Sequence, residues 1–176
     1  MRRPLRITLI VVGSLVGLVA LSYVVGLFMP RDHVATSEIT LRHPVDSVYA
    51  VLRNFSDMPK WWKDISVSER VANAPGERWR QKASGMEMQL DVVSETPPLQ
   101  FVTKIVEDQG LPFGGIWTYS LSPTANGTVI TVTEKGWVGP PPFRVMSRIM
   151  GHNATLDGLL TSLAAHFGES VTPVHK

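Results

Sequence analysis

The stretch ITLRHPVDSVYAVLRNFSDMPKWW, residues 39–62, contains the clearest change of secondary structure in the chain. It continues an alternating apolar and polar pattern that predicts a strand over residues 34–42. A His-Pro pair then interrupts the alternation, and apolar residues at helical spacing predict a helix over residues 44–55, with proline in its first turn. A second short helix follows and carries Trp61 and Trp62. The stretch therefore predicts one strand followed by two short helices.

The next part of the chain has the pattern of short strands separated by turn signals. Apolar and polar residues alternate in them, so one face of the resulting antiparallel sheet should be apolar. Asn126-Gly127 is a strong hairpin signal, and the glycine-containing segment 109–115 is predicted to be a flexible tip between two strands. The predicted strands are residues 65–71, 77–84, 86–93, 99–106, 116–122 and 128–138.

The C-terminal part predicts one long amphipathic helix over Phe143–Phe167, because its apolar residues recur three or four positions apart. Residues 139–142, Gly-Pro-Pro-Pro, form a stiff connector before it, and Gly168 is a natural C-terminal cap. Residues 169–176 are predicted to be a tail. The long helix is expected to cover the apolar face of the sheet, which places the domain in the α+β class.

The N-terminal part contains an uncharged, apolar segment of 23 residues, Ile7–Met29, which Pro30 ends. A helix of this length is about 35 Å long, enough to cross a hydrocarbon core of about 30 Å. A cleaved signal peptide has a shorter apolar region of about 7–15 residues, and a buried core helix is rarely apolar on every face. The sequence therefore predicts a transmembrane signal anchor over residues 1–30 and a separate domain over residues 31–176.

The residues that flank this segment predict its orientation. Arg2, Arg3 and Arg6 precede it, so the positive-inside rule places the N-terminus in the cytoplasm and the domain in the periplasm or outside the cell. Gly13 and Gly17 form a G-x-x-x-G pair that would allow two such helices to approach closely as a weak homodimer. The alternative is that no dimer forms, since glycine is common in membrane helices.

Charge and composition exclude several classes of function. The 176 residues carry 17 basic and 15 acidic side chains, but three of the basic ones lie in the first six positions. The rest of the chain has a net charge of −1, so nucleic-acid binding is not expected. The chain has no cysteine, which excludes disulfides, thiol catalysis and metal sites built on thiolates.

The order of elements resembles the helix-grip fold of the START-like (SRPBCC) superfamily, in particular its polyketide cyclase/dehydrase and lipid-transport group. The resemblance rests on residues 39–62, on residues 136–150 and on LDGLLTSLAAHF at residues 156–167, and it spans about residues 34–168. It implies a curved antiparallel sheet wrapped on the long C-terminal helix. It also implies an elongated cavity between the two that holds an apolar ligand. The fold supports many functions, so the resemblance predicts the architecture more sharply than the activity.

Aromatic and methionine side chains on the inward strand phase suit an adaptable apolar pocket. The alternative is that they form an ordinary packed core. Trp61 and Trp62 allow three interpretations: they cap the cavity mouth, touch the bilayer interface, or plug the core. The predicted cavity residues are Trp79, Met86, Met88, Leu90, Phe101, Trp117, Tyr119, His152, Leu156 and Leu160.

Catalytic patterns are weak. The five histidines lack metal-binding spacing and no serine lies in a G-x-S-x-G turn, so neither a metal nor another cofactor is expected. His152, with Asn153 beside it, is the candidate catalytic residue: it shares a helix face with apolar residues and can donate a hydrogen bond or act as a base. Glu134 and Lys135 point to opposite sides of their strand, so whichever faces inward is a second candidate.

These observations favour a membrane-anchored module that binds a hydrophobic small molecule or lipid without chemistry. One alternative is a cyclase or dehydratase that uses a cavity residue such as His152. Another is a structural or partner-binding domain of a membrane complex, which would present a large exposed apolar patch.

Overall fold

The computed structural model describes residues 2–107 and 110–176, with side chains from residue 7 onward. The helices are α1 (Arg2–Leu27), α2 (Val45–Arg53), α3 (Met58–Trp61), α4 (Pro141–Met150) and α5 (Ala154–His166). The strands are β1 (Asp32–Leu41), β2 (Ile65–Arg70), β3 (Arg78–Ala83), β4 (Met86–Thr96), β5 (Gln100–Ile105), β6 (Phe113–Thr124), β7 (Gly127–Val138) and β8 (Val174–His175). A 3-10 turn at Phe55–Asp57 joins α2 to α3.

The strands form one antiparallel sheet in the order β2-β3-β4-β5-β6-β7-β1-β8. Strands β2 to β7 follow one another as neighbours, and β1 pairs along its whole length with β7, from Asp32↔Trp137 to Leu41↔Thr128. Helix α5 packs against β1 and β7 on the inner face of the sheet. The predicted α+β fold, a curved antiparallel sheet that holds a C-terminal helix, is confirmed.

Alternation along the strands decides which side chains enter the core. In β7, Ile130 and Val132 are completely buried, whereas Lys135 on the opposite phase is exposed. Burying one such apolar side chain contributes about 1.5–3 kcal/mol relative to leaving it in water. Helix α5 covers this face with side chains three or four positions apart that have no exposed surface: Leu156, Leu159, Leu160 and Leu163.

The prediction of one helix over residues 143–167 is wrong, because the chain forms two helices there. The break lies at Gly151, whose φ of 84° is in a region that residues with a side chain rarely adopt. His152 and Asn153 follow in the connection, and Nδ2 of Asn153 donates a hydrogen bond to the carbonyl oxygen of Thr36 at 2.9 Å. Apolar spacing continues across the break, so periodicity alone does not reveal it.

Two other segments also differ from their predictions. The flexible tip predicted over residues 109–115 is shorter, because β6 already begins at Phe113; residue 109 itself lies outside the described residues. Gly114 fits in the strand because it has no side chain: a Cβ there would lie 2.8 Å from the Trp137 ring. The predicted tail contains β8, which pairs with β1 at the edge of the sheet.

Helix α1 lies apart from the core. Its Ile7–Leu27 segment has a mean hydropathy of 2.4 and is exposed along nearly all of its length, with Gly26 buried near its C-terminal end, so its length and composition would let it cross a membrane. An N-terminal signal sequence has the same features. The C-terminal end of α1 contacts α4, and a Cβ placed on Gly26 would overlap the carbonyl oxygen of Pro141. The G-x-x-x-G pair faces open space, so the helix dimer stays a prediction.

Candidate functional site

The antiparallel order brings several strand ends together at one end of the sheet. The starts of β1, β4 and β6 lie beside the ends of β3, β5 and β7, as the pairings His33↔Gly136 and Gly115↔Gly136 illustrate. Helix α1 leads into β1 here, so we name this the α1 end of the sheet. The connection between α4 and α5 lies at the same end, because the His152 ring stacks on His33. The side chains of His33 and His152 therefore meet at this end of the sheet.

Glu134 is an inward-facing carboxylic acid at this end. It shares the inner phase of β7 with buried Val132, and its side chain is 17% exposed, whereas Lys135 faces outward. Burial raises the pKa of Glu134 above its ordinary value, and a hydrogen bond from Trp117 acts in the opposite direction. Of the two adjacent candidates on this strand, Glu134 is thus the one that faces the interior.

His33 is the nearest partner of this acid. Its Nε2 lies 3.7 Å from Oε1 of Glu134, which is too long for a hydrogen bond. Burial lowers the pKa of His33, and the nearby Asp32 only partly offsets that shift. Nδ1 of His33 is buried and has no hydrogen-bond partner among the described residues. Burial therefore shifts both groups toward their neutral forms, lowering the pKa of the imidazole and raising that of the carboxyl group.

His152 covers His33 from the side of the helix connection. The two rings are nearly parallel, with centroids 4.3 Å apart and planes inclined by 15°. Burial is the main cause of the lowered pKa of His152, and the nearby His33 and Arg148 lower it further. The connection is fixed because Asn153 also donates to the hydroxyl oxygen of Ser37 at 3.0 Å. The sequence candidate His152 therefore lies against His33, the neighbour of the inward-facing acid, although on a loop rather than on a helix.

Two paired glycines leave room for this arrangement. A Cβ on Gly136 would lie 2.8 Å from Cε1 of His33 and 2.9 Å from Oε1 of Glu134. A Cβ on Gly115 would lie 2.6 Å from the carbonyl oxygen of Lys135. A side chain at Gly136 would push against both the imidazole and the acid, whereas one at Gly115 would collide with the backbone of β7. We define the His33 cluster as His33, its neighbours Glu134 and His152, and Trp117, which hydrogen-bonds to Glu134.

The His33 cluster can do two kinds of chemistry. A carboxyl group with a raised pKa donates or accepts a hydrogen bond and can transfer a proton, and a neutral imidazole can accept one. Perturbed pKa values of this kind concentrate at functional sites. Metal binding has no comparable support, since no group of three or more histidine, aspartate or glutamate side chains within the described ranges could hold an ion.

A second polar chain runs from β1 to β8 and resembles a catalytic triad only in composition. Ser37 donates to Oδ1 of Asp157 at 2.7 Å, and Nε2 of His175 lies 2.8 Å from Oδ2 of the same aspartate. The aspartate stands between the serine and the histidine, so the imidazole cannot take a proton from the hydroxyl group. This chain ties β8 and α5 to β1.

The sequence model of the family described as "Polyketide cyclase / dehydrase and lipid transport" matches residues 32–168. The chain belongs to this family. The matched region includes every residue of the His33 cluster and both helices of the C-terminal part. The comparison with curated proteins gave no match.

Several solved structures have a similar fold. A START superfamily protein from Mycobacterium smegmatis has 18% identity and a TM-score of 0.62, and the match covers 76% of this chain and 96% of that one. A conserved protein from Geobacillus kaustophilus has 16% identity and a TM-score of 0.65, with 81% and 99% covered. The di-domain ARO/CYC StfQ from the steffimycin biosynthetic pathway has 15% identity and a TM-score of 0.62, with 77% and 50% covered. At these identities the likeness shows the fold alone.

In this member of the polyketide cyclase/dehydrase and lipid transport family, the predicted cavity residues have different surroundings. Met86 is 41% exposed at the α1 end, and Met88, Trp117 and His152 are half-buried. The Phe101 and Tyr119 rings are stacked 4.2 Å apart. The buried members of the set are Trp79, Leu90, Phe101, Tyr119, Leu156 and Leu160. The interior is tightly packed beside α5 and more open toward the α1 end, and a cavity lined by all ten residues stays a prediction.

A pocket of about 220 Å³ opens at the α1 end itself. It lies between the end of β5 and the start of β6, and its lining includes Ile105, Leu111, Phe113 and Trp137. A second, more open pocket of about 340 Å³ lies on the β2–β3 turn, far along the sheet. Of these two pockets, the first adjoins the part of the fold that carries the His33 cluster.

Trp61 and Trp62 are both buried, so neither ring is available to a bilayer surface. Trp62 lies 6.5 Å from Trp117 and Trp61 lies 6.3 Å from His166, measured between ring centroids. The indole N–H groups of Trp61 and Trp62 are buried without a hydrogen-bond partner in the described part of the chain. The two rings thus plug the core between α3 and α5.

Sequence reasoning missed His33 as a site residue. It stands at the start of β1, immediately after the apolar segment, where the pattern gives no reason to distinguish it from a linker residue. Its phase on the strand was the available signal, because residues 33, 35, 37 and 39 share one face and the last three are buried.

Proposed function

We propose that the chain is a membrane-tethered domain that binds an apolar small molecule or lipid, with the polar part of that ligand at the His33 cluster. Residues 1–30 would be the tether and residues 31–176 the binding domain. Family membership supports the ligand class, and the long apolar helix α1 supports the tether.

The buried polar atoms at the α1 end are the observation that carries the proposal. The carboxyl group of Glu134 is desolvated, and Nδ1 of His33 has no hydrogen-bond partner among the described residues. Leaving such a group unsatisfied costs about 1–3 kcal/mol, which a hydroxyl, carbonyl or carboxyl group of a ligand would recover. Because Leu156 and Leu160 have no exposed surface, access is expected from the α1 end. Met86 and Met88 lie at that end, and methionine side chains rearrange easily around a ligand.

Extraction of the purified full-length protein with organic solvent, followed by mass spectrometry, tests the proposal. Cis-parinaric acid, a fluorescent fatty acid, then serves as a defined probe for protein in nanodiscs, with empty nanodiscs as the blank. Glu134→Leu is expected to weaken probe binding about tenfold, since it removes the hydrogen-bonding acid. Glu87→Leu, at an exposed position of β4, is the matched control and should bind as the wild type does. Absence of both an extracted molecule and saturable probe binding would refute the proposal.

A second candidate function is a proton-transfer enzyme such as a cyclase or dehydratase. The 3.7 Å separation of the His33 imidazole and the Glu134 carboxyl group favours it, because an acid and a base of perturbed pKa are side by side. In that case Glu134→Gln would lower turnover of the extracted molecule by about 10²–10⁴-fold while its binding persisted. Recovery of the molecule unchanged after long incubation with wild-type protein would exclude this candidate.

The proposed location of the domain is outside the cytoplasm, because Arg2, Arg3 and Arg6 precede the apolar segment Ile7–Met29. A Lys176→Cys variant tests this, since the chain has no other cysteine. A membrane-impermeant maleimide should label Cys introduced at this position in intact cells whose outer barrier has been opened. Labelling only after lysis would place the domain in the cytoplasm and refute the proposed orientation.

A further inference from the structure

Helix α4 presents an apolar face to solvent, although it belongs to the folded domain. None of its residues is buried, and Ile149 is 77% exposed. At 100° per residue, its four large exposed apolar side chains lie within an arc of about 120°. These residues, which we name the α4 stripe, are Phe143, Met146, Ile149 and Met150. A soluble domain normally turns such a stripe toward its core, so this one lacks a partner within the described chain.

The opposite side of α4 fixes the helix against the end of α1. Nη1 of Arg144 lies 3.4 Å from the carbonyl oxygen of Gly26 and 3.3 Å from that of Met29, so it donates to the last turn of α1 and to the linker that follows it. The backbone at Gly26 touches Pro141 closely enough to exclude any side chain there. The same guanidinium donates to Gly139 through Nη2 at 2.6 Å. Helix α4 is therefore held where the apolar segment ends at Leu27.

The linker between α1 and the sheet is short and fixed. Four residues separate Leu27 from Asp32, a span of at most about 14 Å. The Arg31 guanidinium lies 4.5 Å over the Trp137 ring. The backbone carbonyl oxygen of Arg31 accepts a hydrogen bond from the Val138 amide at 2.9 Å. The domain cannot move far from a bilayer that contains α1.

We propose that α4 is an interfacial helix whose stripe lies in the bilayer that α1 crosses; this rests on the proposed membrane tether. Helices of this type bury an apolar face about 5–10 Å into the boundary between headgroups and acyl chains. Residues 139–150 contain Arg144 and Arg148 and no acid, which suits a surface of anionic headgroups. His152 lies two residues beyond the end of α4, so the α1 end of the sheet would face the bilayer and receive a ligand from it.

Single cysteines for nitroxide labels test the depth of the stripe, because the native chain has none. Full-length Met146→Cys and Ile149→Cys are placed in nanodiscs that contain anionic phospholipid, and accessibility to oxygen and to a nickel chelate is measured by electron paramagnetic resonance. Val93→Cys is the matched control: it is an exposed apolar position on β4, about 14 Å of sheet away from β7. Val16→Cys reports on the tether itself.

We expect labels on the stripe to lose at least about fivefold in nickel accessibility relative to Val93→Cys while oxygen accessibility rises. If the Val16→Cys label is in hydrocarbon but the stripe labels remain accessible to nickel, the inference fails and the tether stands. If the Val16→Cys label is also in water, the tether fails with it. Stripe labels shielded from both reagents would mean that a second copy or another protein covers α4, which also overturns the inference.

Discussion

Replacing Arg53 with methionine tests whether charged groups, and not apolar packing alone, fix α2 to the sheet. Arg53 donates to Glu77 through Nη1 at 2.8 Å and to Glu95 through Nη2 at 3.0 Å. Glu77 also accepts a hydrogen bond from Nε1 of Trp79 at 2.7 Å, and Glu95 accepts one from the Tyr49 hydroxyl group. Methionine keeps the apolar stem of arginine, but it leaves the two carboxylates without their shared cation.

The expected loss of stability follows from the geometry and exposure of these groups. The Arg53 side chain is 18% exposed, and those of Glu77 and Glu95 are 26% and 32% exposed, so solvent partly screens both contacts. Arg53 makes four hydrogen bonds, two to each carboxylate. Counting each carboxylate as one charge-assisted contact, reduced for that screening, gives about 2 kcal/mol. For a domain of this size the melting temperature should fall by about 6–8 °C at pH 7.

The loss should depend on pH in a defined direction. Hydrogen bonding from Arg53 is the main reason why the pKa values of Glu77 and Glu95 are below the ordinary value of 4.5. A carboxyl group whose pKa is lower in the folded state stabilises the fold above its unfolded pKa, and it loses that contribution as the pH falls through the folded value. The difference between the variant and the wild type should therefore be complete at pH 7 and decrease below about pH 4.

Thermal unfolding of the full-length protein in detergent, followed by circular dichroism at pH 7 and pH 3, measures both effects. Arg80→Met is the matched control, because Arg80 also contacts two glutamates but all three side chains are more exposed. That control should change the melting temperature little. The reasoning is refuted if Arg53→Met unfolds like the wild type at pH 7, or if its loss is the same at both pH values.

Three further changes address the site and the helix break. Gly136→Ala should destabilise the fold by about 1–3 kcal/mol in urea unfolding, because the added methyl group overlaps the His33 ring. It should also weaken binding of cis-parinaric acid, and an unchanged urea midpoint would contradict the expected loss of stability. Glu134→Gln should raise the melting temperature at pH 8, since the raised pKa of Glu134 means that its negative charge is unfavourable in the folded state. The gain should disappear as the pH falls toward 4.5, and a gain independent of pH would contradict the inward position of this acid. Gly151→Ala should lower the free energy of unfolding by about 1 kcal/mol, because Gly151 has a positive φ. Gly76 also faces open space, and Gly76→Ala should leave the free energy of unfolding unchanged. Equal effects of the two substitutions would count against a backbone cause.

Much of the fold could be predicted because local patterns reflect what each segment must bury. Alternation predicted the strands to within a few residues, and the Asn-Gly pair predicted the β6–β7 hairpin. The break in the C-terminal helix could not be predicted from apolar spacing. It depends on the backbone of Gly151 and on the bond from Asn153 to β1, which joins residues far apart in the chain.

The candidate site was predicted only in part. His152 and the Glu134/Lys135 pair were identified as candidates, but which of the latter faced inward depended on the phase of β7 against β1. The apolar residues of α4 were assigned to a continuous core helix because their spacing is helical. Exposure reversed that interpretation, since their partner is absent from the described chain.

By itself the sequence determined the uncharged apolar helix, the antiparallel strands and the α+β class, because these depend on the period of apolar residues along a short stretch of chain. Only the tertiary structure decided that His33, Glu134 and His152 meet, and that the apolar stripe of α4 lies at the end of α1. The physical reason is register: antiparallel pairing and a glycine break bring together residues that are more than a hundred positions apart, and no local pattern records such a distance.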